Sequence, residues 1–104
     1  MLIVTTNEVP GKQITEVKGF VQGSTVQSKH VGRDIGAGLK TLVGGEIKGY
    51  SDMMEEARNI ALERLITDAD RQGANAIVGM RYQTSQVMNA AAEVIAYGTA
   101  VVIE

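Results

Sequence analysis

Residues 42–80, LVGGEIKGYSDMMEEARNIALERLITDADRQGANAIVGM, decide the fold. They read as a glycine turn, one long amphipathic helix, a second glycine turn and the opening of a strand. Met54, Ala57, Ala61, Leu65 and Ala69 form an apolar stripe at helical spacing, which Ile60, Leu62 and Ile66 widen. Arg58, Glu63, Arg64, Asp68 and Arg71 fall mostly outside it. Ser51 suits an N-cap, and Asp52, Glu55 and Glu56 load the first turn, where the helix dipole favours negative charge. Gly73 is placed to close the helix as its C′ residue. The expected helix covers residues 51–72.

Downstream, residues 76–87 and 93–103 read as strands joined by residues 88–92, most simply a hairpin. The last strand is apolar in both phases. Val94, Ala96, Gly98, Ala100 and Val102 lie on one side, and Ile95, Tyr97, Thr99, Val101 and Ile103 on the other. Such a strand expects cover on both faces. A single helix covers one, so the second face needs a further element, another subunit, or both. An oligomer is expected.

Upstream, the β-branched run at residues 2–6 reads as a short strand, and Pro10-Gly11 fits the centre of a type II turn. Residues 14–27 read as a longer strand with Val17, Gly19, Val21, Gly23 and Thr25 in one phase. Gly19 and Gly23 within it mark a bulge or a close backbone approach. Residues 28–49 carry half of the 12 glycines. Ile35, Leu39 and Leu42 recur there at helical spacing, which suggests a short glycine-rich helix ended by Gly44-Gly45.

The whole, 104 residues, is one domain's length. Charged residues make up 21% and apolar ones 44%, the balance of a folded soluble chain. Lys plus Arg is 10 against 12 Asp plus Glu, so no basic excess points to nucleic acid. There is no cysteine, hence no disulfide framework and no thiolate site. No apolar run approaches the roughly 20 residues that span a bilayer, and the N-terminus lacks signal-peptide character. A cytoplasmic location is the expectation.

Chemistry is sparse. Gly38-Leu39-Lys40-Thr41 misses the spacing of a phosphate-binding loop. The only histidine is His30, too few ligands for a metal site within one chain, although rotational symmetry could gather copies of it. Met53 and Met54 could bind soft copper, but on the apolar side of a helix they serve packing. Ser24, Ser28, Ser51 and Ser85 lack a nucleophile elbow. Arg81 and Glu93 sit on neighbouring expected strands and could meet in the hairpin, with Glu46 and Arg58 nearby in topology. They read either as a structural ion-pair network or as a polar pocket at a subunit boundary.

The sequence resembles the YbjQ-like family of small bacterial and archaeal proteins over nearly its whole length. The carrying residues are Val43-Gly44-Gly45-Glu46, Tyr50, Glu56-Ala57-Arg58, Gly73-Ala74-Asn75-Ala76, Arg81-Tyr82, and Glu93-Val94 running into Ala96-Tyr97-Gly98-Thr99-Ala100-Val101. The resemblance implies a dodecin-like β-α-β-β subunit assembled into a ring, a homopentamer, in a family labelled as heavy-metal-binding. No reaction is carried over, and no catalytic residue is assigned.

The expectation is therefore an α+β fold. A small antiparallel sheet packs on one long helix, with an added N-terminal strand and a short Gly-rich helix. The expected function is a non-enzymatic homo-oligomeric module holding a small ligand or metal ion at Glu46, Arg58, Arg81 and Glu93. The alternatives are an enzyme with an intersubunit carboxylate and arginine site, or a purely structural ring.

Overall fold

A computed structural model of the chain describes the backbone of residues 1–28 and 45–104, and the side chains of 1–28 and 48–104. Four strands and one helix are described: β1 (Leu2–Ile3), β2 (Ile14–Ser28), α1 (Gly45–Arg71), β3 (Ala76–Met88) and β4 (Ala91–Ile103). The sheet order is β1-β3-β4-β2. β4 is central, antiparallel to both β2 and β3, whereas β1 runs parallel to β3.

The sheet is thus mixed, and the expectation of an antiparallel one is corrected by β1. Leu2 and Ile3 pair with Ala76 and Ile77, and Val4 N–H donates to Ile77 O at 2.9 Å. Beyond that point β3 bulges at Gly79, whose N–H donates to Thr6 O while Met80 N–H donates to Val4 O. The N-terminal segment therefore occupies the edge of β3 up to Met80. Val4 and Val9 also pack on Ala76, Val78, Val101 and Ile103, a cover for one end of the second sheet face.

The helix is described over Gly45–Arg71, 27 residues, and is already formed six positions before the expected Ser51 cap. Ser51 lies inside it, so its capping role is withdrawn. Gly45 belongs to the helix rather than ending an earlier one, and the short helix expected near residues 35–42 lies outside the described residues. Gly49 costs the helix only about 1 kcal/mol. Packing offsets that: half-buried Tyr50 and Met54 continue the stripe of Ala57, Ala61, Leu65 and Ala69. Met53 is buried and Met54 packs against the core, as the methionine reading expected.

The C-terminus matches the reading. Gly73 has φ of +80°, Ala74 N–H donates to Ala69 O at 3.1 Å and Gly73 N–H to Asp70 O at 3.0 Å. This is a Schellman closure. Asn75 completes the junction, because its side-chain amide donates to Ile103 O and accepts from Ile103 N–H. Those two bonds explain why glycine, alanine and asparagine follow one another there.

Pro10-Gly11 is the expected turn, with Gly11 at φ +81° and Lys12 N–H donating to Val9 O. The Gly19 reading also holds: φ is +122° and the β2–β4 register shifts between Val17 and Gly19. That slip leaves Val17 exposed, against its expected phase with Val21. The hairpin link is shorter than expected, two residues, with Met88 opposite Ala91. Ala90 there has φ of +60°, the one described non-glycine residue in that region.

Gly23 has the largest consequence. A Cβ on it would overlap the helix backbone at Ala61 O and Leu65 N, so the helix rests directly on β2. A helix radius of about 5–6 Å reaches a strand about 4.8 Å to the side but not one twice as far. Accordingly α1 covers β2 and β4 and barely touches β3. The core comprises Val21, Ala57, Ala61, Leu65, Ala69, Ile77, Met80, Val94, Ala96 and Ala100. Residues 81–88 of β3 are exposed throughout.

Gly23→Ala is expected to cost about 3 kcal/mol or more, since helix backbone cannot yield as a side chain does. Ala90→Gly is expected to stabilise by about 1 kcal/mol by relieving the left-handed conformation. Urea unfolding of both variants checks the pair.

Candidate functional site

Among the described residues the sheet has one face under α1 and one open face. On β4 the two alternate strictly. Ala92, Val94, Ala96, Gly98 and Ala100 are buried under the helix, and Glu93, Ile95, Tyr97 and Thr99 are half-buried on the open side. The register sets Phe20, Gln22, Ser24 and Val26 of β2 beside those four, and Val78, Arg81, Gln83 and Ser85 of β3 on the other flank. Phe20 and Tyr97 stack with ring centroids 6.5 Å apart. Phe20 is 63% exposed and Val26 57%, so the open face is apolar as well as polar.

The four residues named from sequence do not converge within one chain. Arg81 is opposite Tyr97 and Glu93 opposite Ser85, four positions apart along β4 or roughly 13 Å. Arg58 is exposed on the helix, across the sheet from Glu93. Glu46 lies in the first turn of α1, and its side chain is outside the described residues. Among the described residues the one ion pair is Lys18–Glu16 at 2.9 Å. The expected meeting of Arg81 and Glu93 inside the hairpin is corrected by the strand register.

Arg81 is instead committed to the backbone. Its Nη1 donates to Thr5 O at 2.9 Å and to Met80 O at 2.8 Å. It fastens the N-terminal segment over the Gly79 bulge. Glu93 is a half-buried carboxylate on the open face, next to Val26 and Ser85. It makes no hydrogen bond with a described residue.

Sequence reading missed two residues that act as a pair. Arg64 Nη1 donates to Ser24 O at 2.7 Å, and Asp68 Oδ2 accepts Gln22 N–H at 3.2 Å. From the helix they cap the outer edge of β2. Opposite charges four residues apart read from sequence as a solvated helix pair, so nothing local marked the strand as their partner.

No three His, Asp or Glu side chains gather at metal-binding distance among the described residues. His30 lies outside them. The concavity along residues 8–14 is lined by consecutive residues of one turn and brings no separate elements together. Among the described residues no helix is long and apolar enough to cross a membrane.

An α+β fold with one long helix on one face of a four-stranded mixed sheet is the class this geometry defines. The whole chain, residues 1–104, matches the family model YbjQ_1, described as "Putative heavy-metal-binding". A UPF0145 protein of Halalkalibacterium halodurans is 64% identical over all of this chain and 98% of its own length. One from Thermotoga maritima is 57% identical with the same coverage. A crystal structure from Pediococcus pentosaceus, of a DUF74-family protein of unknown function, matches with TM-score 0.63 at 23% identity, over 100% of this chain and 98% of that one. The chain belongs to the YbjQ-like, or UPF0145, family.

Arg81→Ala is expected to loosen the N-terminal segment at a cost of about 1–2 kcal/mol, as for a charged donor lost from backbone acceptors. Faster amide exchange at Val4, Gly79 and Met80 would report it. Unchanged exchange there would make the two hydrogen bonds dispensable.

Proposed function

We propose that the chain is a non-enzymatic, ring-forming homo-oligomeric module that holds a small ligand or metal ion where subunits meet. The supporting observation is the uncovered surface of the sheet. Phe20 and Val26 on the open side of β2 are each more than half exposed, as are Val87 and Met88 beside the hairpin turn. Exposed apolar surface set among polar groups suits a contact surface. The sequence argument for a second cover on β4 points the same way, because the N-terminal segment shields only the end near Val101.

The family description supports a cation as the ligand. A carboxylate-rich set suits a hard or borderline cation, and three ligands or more are needed. One chain does not gather three among its described residues. Symmetry supplies the deficit, since each copy in a ring contributes the same side chain. Glu93 is the described residue best placed for this role, since Arg81 is engaged with backbone carbonyls and Arg58 lies on the helix across the sheet.

Native mass spectrometry of untagged chain purified without chelator tests this. A homopentamer of 11.1 kDa chains weighs about 55 kDa. A bound ion adds its own mass, and elemental analysis names it. Glu93→Gln is expected to remove that added mass while the ring persists, because it changes charge with little change of shape. Retention of the full ion complement by Glu93→Gln would rule out this carboxylate as a ligand.

A further inference from the structure

We infer that the ring closes head to tail through the sheet, the edge of β3 beyond Met80, which no described strand occupies, receiving the outer edge of β2 from a second copy. This rests on the oligomeric reading above and assigns its interface. Three independent features of the single chain carry it.

The first is which backbone groups are free. In β2, Gln22 N–H and Ser24 C=O point away from β4, since Asp68 and Arg64 bind them. Alternation in an antiparallel ladder then turns the backbone groups of Tyr97 and Ile95 away from β2 and toward Arg81 and Gln83. Tyr82, Thr84 and Gln86 consequently present their N–H and C=O groups outward. The N-terminal segment fills this edge only up to Met80. Beyond it, residues 82–88 carry no charge, no proline and no lysine, the devices that keep an edge from pairing.

The second is direction. β2 and β3 are parallel to each other, both being antiparallel to β4. Outward residues of β3 carry their side chains on the helix side, whereas outward residues of β2 carry theirs on the open side. Two edges of opposite parity continue one sheet, with all helices on the same face, only when they run parallel. A neighbour turned about an axis along the strands brings its β2 to β3 in that direction. Repetition of this contact closes a ring.

The third is cover. The helix sits on β2 because of Gly23, leaving the helix side of β3 bare at Tyr82 and Met88. A neighbour's β2 at that edge carries its own helix with it, about one strand spacing away, and covers both. Pairing β3 with β3 of a second copy would leave the bare surface of both copies open. The caps of Arg64 and Asp68 give way in the contact. Exchanging one hydrogen-bond partner for another is close to neutral, so the buried apolar surface decides.

Two proline variants test it, each removing an outward N–H while sparing the ladder inside the chain, as proline on a sheet edge does. Thr84→Pro disables the β3 edge and Ser24→Pro the β2 edge. By native mass spectrometry each alone is expected to lose the ring and give monomer. Their mixture keeps one intact interface and is expected to give 1:1 pairs. A ring that survives Thr84→Pro overturns this interface and leaves the oligomeric reading standing. Loss with Thr84→Pro but not with Ser24→Pro overturns the partnership with β2. A monomeric unaltered chain overturns the oligomeric reading itself. Circular dichroism establishes that the variants are folded. Should either not fold, residue-resolved amide exchange on the unaltered ring decides: protection at Tyr82, Thr84 and Gln86 is expected, and exchange as fast as in the open segment Thr5–Asn7 overturns the proposal.

Discussion

The contact between Gly23 and the backbone of α1 at Ala61 and Leu65 fixes the rest of the subunit. Helices usually stand about 10 Å from a sheet on a cushion of side chains; here a glycine and an alanine stripe remove that cushion. Ala57, Ala61 and Ala69 are wholly buried on the side of α1 that faces the sheet. The helix consequently lies over an outer strand rather than over the middle of the sheet. Arg64 and Asp68 reach past that strand and occupy its outer backbone groups. One missing Cβ thus determines which part of the sheet is covered.

Polar residues in the described chain serve architecture more than chemistry. Asn75 joins the end of α1 to the end of β4, Arg81 holds the N-terminal segment, and Arg64 with Asp68 holds β2. Their groups are engaged with backbone, whereas the half-buried carboxylate of Glu93 has no hydrogen-bond partner among the described residues. This division agrees with a protein whose ligand chemistry emerges from repetition of one chain, the reading proposed above.

Much of the fold is legible in sequence because local rules and packing agree. The alanine and leucine stripe, the glycine at C′, the proline-glycine turn and the two-sided last strand each predict what is seen. The continuation of the helix upstream of Ser51 is not legible, because Gly49 costs it only about 1 kcal/mol and the half-buried Tyr50 extends the stripe past the cap that Ser51 offered. Strand pairing is legible only between neighbours in sequence. β1 lies parallel to β3, and no periodicity in Leu2 and Ile3 encodes a partner more than seventy residues away. The candidate site suffers from the same limit. Arg81 stays four positions from Glu93 because of the hairpin register, with its irregularities between Val78 and Arg81 and between Gln86 and Met88, and composition does not set register.

The parallel pairing of β1 has a kinetic side. Thr5 accepts its hydrogen bond from a residue 76 positions later in the chain. At about 5–20 residues per second, the ribosome delivers Arg81 roughly 4 to 15 seconds after Thr5. Through that interval the residues around Thr5 have no edge to join. The segment docks only once β3 has been produced, and a fusion placed before it hangs on a piece of chain that settles late in synthesis.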